Sequence, residues 1–170
     1  MTELVSDLQR EPRATRRGPW IRRAIMAVFA IVAILALANV FGQQPTVTAA
    51  GGTGAELALS APRVVRGGLM FQARIDVRAR LDIDNPRLVL GQGWLEGLQV
   101  NSIQPAPVSE AGRDGRVVLT YDELAAGERL RIWIQFAVDP TYSGRHDFSV
   151  ELDDETTPLA IVTRTITLLP

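Results

Sequence analysis

The chain holds one histidine, His146, and no cysteine. A nucleophile–base pair would have to enlist that ring, and a metal site would need it together with carboxylates. It stands in Gly144-Arg145-His146-Asp147, a turn leading into a strand pattern, which is ordinary surface composition. The acids Glu151, Asp153, Asp154 and Glu155 bunch nearby and could hold Ca²⁺ between strands. They lack the glycine and the alternating ligand spacing of an EF-hand loop, and a solvated hairpin loop explains the same composition. Paired carboxylates for glycoside hydrolysis need a cleft, which a small sandwich rarely offers. We therefore expect no reaction, no cofactor and no metal.

The tryptophans are more informative. Trp133 lies between Arg131 and Gln135, on the polar side of an alternating segment. There it either packs under an arginine stem or marks a contact surface. Trp94 sits in the glycine-flanked run 91–97 (GQGWLEG), where it covers an open end of the fold or offers a second contact. Trp133, Arg131, Gln135 and Trp94 are the candidate protein-contact residues.

The elements that must position these side chains are strands. In 71–83, Phe71, Ala73, Ile75, Val77, Ala79, Leu81 and Ile83 alternate with polar residues, predicting one long strand with a buried and a wet face. In 130–138, Leu130, Ile132, Ile134, Phe136 and Val138 alternate in the same way. Shorter candidates are 56–60, 63–66, 87–90, 98–103, 116–121, 146–152 and 159–168. In the last, Thr and Arg164 interrupt both faces and leave the inward side open. Gly67-Gly68, Asn85-Pro86, Asp114-Gly115, Asp139-Pro140 and other turn signals separate them. Eight or nine strands with no amphipathic helix among them predict an all-β, Ig-like two-sheet antiparallel sandwich over 55–170.

The run Leu124-Ala125-Ala126-Gly127-Glu128-Arg129-Leu130 resembles the corner before the penultimate strand of bacterial Ig-like sandwiches, the cell-adhesion-related surface domains among them. Leucine would tuck under the sandwich end while glycine makes the turn. That resemblance covers 118–138 and implies architecture. The span 66–170 is similar to small actinobacterial single-pass membrane proteins, which implies a location. All 18 basic residues are arginine, consistent with a GC-rich genome.

Residues 24–41 carry no charge and one polar residue, Asn39. As a helix they would rise roughly 27 Å, enough for a hydrocarbon core, and insertion is favoured by roughly 3–6 kcal/mol. Residues 1–23 form a basic tail in which Arg16, Arg17, Arg22 and Arg23 crowd the span, and the first charge beyond it is Glu56. The positive-inside rule then keeps the tail cytoplasmic and sends the rest outside the cytoplasm. A cleaved signal peptide is the rival, with small residues at Ala36-Leu37-Ala38 and Val47-Thr48-Ala49. Residues 42–54 are uncharged and rich in Gly, Thr and Ala, predicting a flexible linker.

Residues 42–170 carry twelve arginines against sixteen acids, a balance unsuited to nucleic acid. The expected function is a membrane-tethered extracytoplasmic binding or scaffolding module, accessory to another envelope protein, with a small-molecule ligand not expected. The alternative is a carbohydrate- or cell-wall-binding domain that uses exposed aromatics. A flat apolar patch near the linker would favour the first, a concave aromatic platform the second.

Overall fold

The computed structural model describes residues 18–37 and 43–170, in two compact units divided after residue 42. The first contains a helix, α1 (Gly18–Leu37). Pro19 stands in its first turn, where a missing N–H costs nothing. Arg22 and Arg23 belong to the helix, so it is free of charge only from Ala24 onward, about 20 Å of rise. No helix among the described residues is long and apolar enough to cross a membrane. Arg16, Arg17 and residues 38–41 of the expected span lie outside the described residues.

The second unit is a β-sandwich. Its first strands are β1 (Pro45–Gly51), β2 (Ala55–Pro62), β3 (Val64–Arg66), β4 (Met70–Ala79) and β5 (Pro86–Leu90). After a 3-10 turn at Gln92–Trp94 come β6 (Leu98–Gln104), β7 (Ser109–Arg113), β8 (Arg116–Thr120) and β9 (Arg129–Val138). The chain ends with β10 (Gly144–Asp147), β11 (Val150–Asp154), β12 (Thr157–Val162) and β13 (Thr165–Leu169). One sheet has the order β1-β2-β4-β9-β6 and a second the order β12-β11-β5-β8-β7. A third, β10-β13-β3, includes the parallel pair β13–β3.

The order β2-β4-β9-β6 facing β5-β11-β12 is that of the two sheets of an immunoglobulin-type sandwich. The hairpin β7–β8 is added at the β5 edge. Its tip is Asp114-Gly115, both at positive φ, the conformation a two-residue hairpin turn demands. The corner at 124–130 behaves as its resemblance implies: Leu124 is buried and pairs with Ile83, and Gly127 turns at φ +92°. It leads into β9, however, which is followed by two further broken strands and so is not the penultimate one.

The core follows the alternation. Phe71, Ala73, Ile75, Val77 and Ala79 of β4 lie beside Ile132, Ile134, Phe136 and Val138 of the neighbouring β9 on the inner face of the first sheet, all buried. The predicted strand 71–83 stops at Ala79. Beyond it the chain bends at the sandwich end, so Leu81, expected inside, is 61% exposed, while Ile83 is buried again. Two further expected strands are each split: 146–152 into β10 and β11, 159–168 into β12 and β13. Both interruptions fall at one level, around Phe148-Ser149 and Thr163-Arg164, where the Phe148 N–H donates to the Arg164 carbonyl. The third sheet therefore continues the second past this irregularity.

The expected linker 42–54 is mostly strand. β1 pairs along its whole length with β2, from Pro45 opposite Pro62 to Gly51 opposite Glu56. The β1–β2 hairpin presses on β12 so closely that a Cβ at Gly52 would overlap the Leu159 carbonyl. What fixes β1 is Arg164, which is 6% exposed. Its Nη1 donates to the Thr46 carbonyl at 2.7 Å and to the Leu59 carbonyl at 3.3 Å. Its Nη2 donates to Thr46 Oγ1 at 2.7 Å and to the Ala61 carbonyl. Composition could not reveal this, because Thr and Ala in β1 read as spacer until a buried cation needs their oxygens.

A fragment beginning at Ala55 should accordingly be less stable than one beginning at Gln43, by roughly 2–4 kcal/mol, because it strands a buried guanidinium. Urea denaturation of the two fragments checks this, and equal midpoints would show that β1 is dispensable.

Candidate functional site

The outer face of the first sheet is built in rows that register makes explicit. Gly51, Glu56, Arg78 and Arg129 stand side by side across β1, β2, β4 and β9. The next row is Ala49, Ala58, Asp76 and Arg131, and the next Val47, Ser60, Arg74 and Trp133. Alternation dictates that these residues share the wet face. Their sizes then shape it, since short side chains on β1 and β2 lie beside long arginines on β4 and β9. The result is a groove of about 740 Å³ floored by Ala49, Gly51 and Ala58 and walled by Arg78, Arg80, Arg129 and Arg131. A smaller depression of about 290 Å³ follows along the same face, lined by Pro45, Pro62, Arg74 and Trp133.

The acids of this face are already engaged. Arg80 Nη2 lies 2.7 Å from Glu56 Oε1. Asp76 receives Arg131 Nε on one oxygen and Arg74 Nε at 2.9 Å on the other. The hydrogen bond and charge of Arg80 hold the Glu56 carboxyl below its usual range, and Arg78 and Arg129 add to the effect. Arg78 and Arg129 themselves face each other and have no hydrogen-bond or ion-pair partner among the described residues. Like charges directly opposite on a sheet repel, and the one nearby carboxylate, Glu56, is shared with Arg80, so the face keeps a net positive charge at this pair.

The structure brings together three of the four sequence-predicted contact residues. Trp133, Arg131 and Gln135 share the outer face of β9; Trp133 is 38% exposed, with the Arg131 guanidinium 5.8 Å from its ring centroid. Trp94 is excluded. It is fully buried, stacked on Phe148 with centroids 3.8 Å apart, and its Nε1 donates to the Ser149 carbonyl at 2.9 Å. The glycines around it let the 3-10 turn fold inward, so the ring goes into the core as the covering role anticipated, and the contact role falls. The arginines that line the groove were visible as a wet strand face. Their convergence was not, because it depends on which strand lies beside which.

His146 is tied into local structure. Its Nδ1 lies 3.0 Å from Glu96 Oε2, its Nε2 is buried without a partner, and its ring packs against Tyr142. The Glu96 contact pins the loop carrying that residue to β10. The acids 151–155 also diverge. Glu151 meets Arg116 at 3.5 Å, and Asp154 accepts the Asn85 N–H at 3.0 Å. Among the described residues no group of three or more His, Asp or Glu side chains could hold a metal. Asp153 is 9% exposed with an unpartnered Oδ1; burial, then Glu151, pushes its carboxyl up against the pull of three arginines.

No family model and no curated protein matches the chain. Among solved structures it is similar to the CARDB domain of a Pyrococcus furiosus protein crystallised with di-metal ions, at 14% identity and a TM-score of 0.41, covering 75% of this chain and 90% of that one. It is also similar to AvmM, which catalyses macrocyclization in alchivemycin A biosynthesis, at 7% identity and a TM-score of 0.44, covering 76% of this chain and 90% of that one. At such identities and scores neither the metal ions nor the catalysis bears on this chain.

Two outcomes follow from these environments. Trp94→Ala should cost about 3–5 kcal/mol in urea denaturation, the range for emptying an aromatic core site, and a near-neutral result would mean the ring is not buried. Asp153 is the inverse case. Its folded pKa is raised above the unfolded value, so ionisation opposes folding, with no cost well below pH 3.8, a growing one between that value and the folded pKa, and a constant one above it. Asp153→Asn should therefore raise the melting temperature at pH 7 by roughly 2 °C, with the gain vanishing toward pH 3. A gain equal at both pH values would assign it to something other than the carboxylate charge.

Proposed function

We propose that this chain is an extracytoplasmic binding or scaffolding module, tethered to the cell membrane by one N-terminal helix and accessory to another envelope protein. The tether rests on the apolar run 24–41 and the arginines before it. In this reading the run stays uncleaved. Of the two candidate processing sites, Val47-Thr48-Ala49 falls inside β1, and cutting there would sever Thr46, which Arg164 holds, whereas Ala36-Leu37-Ala38 lies before β1 and is opposed only by the length of the apolar run.

The contact surface is the outer face of the first sheet. The observation that carries this is the exposed Trp133 beside an arginine-walled groove whose charge its own acids do not balance. A large aromatic left in water adds little to folding but much to an interface, where Trp and Arg dominate the binding energy. The face is neither of the two surfaces anticipated from sequence. It is concave, yet it presents a single exposed aromatic, so carbohydrate stacking lacks a platform. It is also too charged to be an apolar patch.

The test is photocrosslinking from the Trp133 face of the full chain in native membranes, with a reporter active only outside the cytoplasm fused after Pro170. The reporter should be active, and an envelope protein should be captured. Trp133→Ala should weaken capture while leaving the melting temperature within about 2 °C of the original. An inactive reporter would overturn the placement; capture untouched by Trp133→Ala, or a collapse in stability, would show that the residue serves the fold.

A further inference from the structure

The pattern of charge along the outer face says what kind of segment it takes. Arg129, Arg131 and Trp133 are spaced by two along β9, so successive side chains stand about 7 Å apart. The free guanidiniums Arg78 and Arg129 mark one end of the face, and the depression formed by Trp133, Pro45 and Pro62 marks the other. An extended peptide has the same two-residue period. A carboxylate at one position and an apolar side chain four residues on would meet both features at once.

We propose that the groove is the binding site for an acidic, extended polypeptide segment, its carboxylates held by Arg78 and Arg129 and an apolar side chain seated against Trp133. This deepens the reading of this face as the contact surface and rests on it. Each guanidinium presents paired N–H donors that match a carboxylate in bidentate fashion. Two of them facing across β4 and β9 repel until an anion lies between them. Asp76 cannot serve, since Arg74 and Arg131 occupy both its oxygens, and Glu56, whose Oε1 Arg80 holds, draws on Arg78 and Arg129 by charge alone, one carboxylate among three guanidiniums. The small floor of Ala49, Gly51 and Ala58 leaves room for a backbone to lie in the groove. An isolated oxyanion would satisfy the arginines and leave the Trp133 depression unused, which is why a peptide is favoured over inorganic phosphate or a lipid headgroup.

The experiment is fluorescence anisotropy with the purified full chain in neutral detergent micelles. The probe is a fluorescein-labelled peptide of alternating glutamate and threonine ending in phenylalanine; a second peptide carries glutamine for each glutamate. The acidic peptide should bind saturably and weaken with added salt, and the glutamine peptide should not bind. Arg78→Gln with Arg129→Gln should weaken binding about tenfold or more, as loss of two charge-assisted pairs requires. Arg113→Gln with Arg145→Gln, which removes the same charge elsewhere, should not. Melting temperature confirms folding, and relief of the facing arginines should leave it unchanged or higher.

Absence of binding overturns the proposal, as does an equal loss in both double variants. Inorganic phosphate or short-chain phosphatidylglycerol displacing the probe as well as unlabelled acidic peptide does would also overturn it, by making the site a general oxyanion or lipid site. Because the titration reads the purified chain, its failure stands whatever crosslinking captures. Failed capture beside intact peptide binding would instead overturn the accessory role.

Discussion

A guanidinium keeps its proton inside a protein, so burying one obliges the fold to surround it with acceptors. Arg164 imposes that obligation here with no carboxylate to meet it. Burial and the nearby Arg63 lower its pKa, and its Nε has no partner, yet the two terminal nitrogens are held by carbonyls of Thr46, Leu59 and Ala61 and by the Thr46 hydroxyl. Backbone oxygens at fixed strand positions are less forgiving than a mobile side chain. A one-residue slip of β1 would turn Thr46 outward and Val47 inward, leaving the cation short of its acceptors. Arg164 thus reads the register of β1, a strand whose composition would otherwise specify it weakly.

The same residue explains the break in the second sheet. Turning Arg164 inward takes it out of the ladder, and Ser149 repairs the gap: its Oγ accepts the Arg164 N–H at 3.1 Å. The Ser149 carbonyl meanwhile accepts Trp94 Nε1, and its neighbour Phe148 stacks on the Trp94 ring. The polar latch and the aromatic core therefore meet at one dipeptide. On the other side, fixing β1 sets Ala49 and Gly51 beside Ala58, and this row of short side chains is what makes the outer face concave. The groove is a consequence of the latch.

Sequence periodicity reveals β4 and β9 almost residue by residue, because one face of each is apolar and the other is not. It conceals β1 and β7. β7 is exposed throughout and β1 carries no large apolar residue on its inward side, so neither offers the contrast that alternation needs. Leu81 misleads for a different reason, since the pattern continues after the strand has ended and the chain has turned. Trp94 was legible as a cover for the fold, but its flanking glycines left a contact role open as well, because glycine is equally suited to an open loop and to one folded tightly against a neighbour. Of the candidate surface, Trp133 with Arg131 and Gln135 was legible on one strand. Arg78 opposite Arg129 was not, because facing pairs belong to strand order and register, which are properties of the folded sheet.

Net charge is a poor guide to what this domain can hold. Residues 42–170 are acidic overall, yet four of their twelve arginines wall one groove while only Glu56 and Asp76 answer them there. At physiological ionic strength charges more than about 8 Å away are largely screened, so the acids of the second sheet do little to cancel that field. What an incoming segment meets is the local arrangement, in which two of the groove's guanidiniums, Arg78 and Arg129, are free and two, Arg80 and Arg131, are tied to carboxylates. The tied ones are not idle, because pairing with Asp76 holds Arg131 in place beneath the approach to Trp133, where its guanidinium lies near the ring. A sheet face that spent every arginine on an ion pair would be better compensated and would bind nothing acidic; this one keeps a pair unspent at the cost of their mutual repulsion, and that cost falls when a carboxylate arrives.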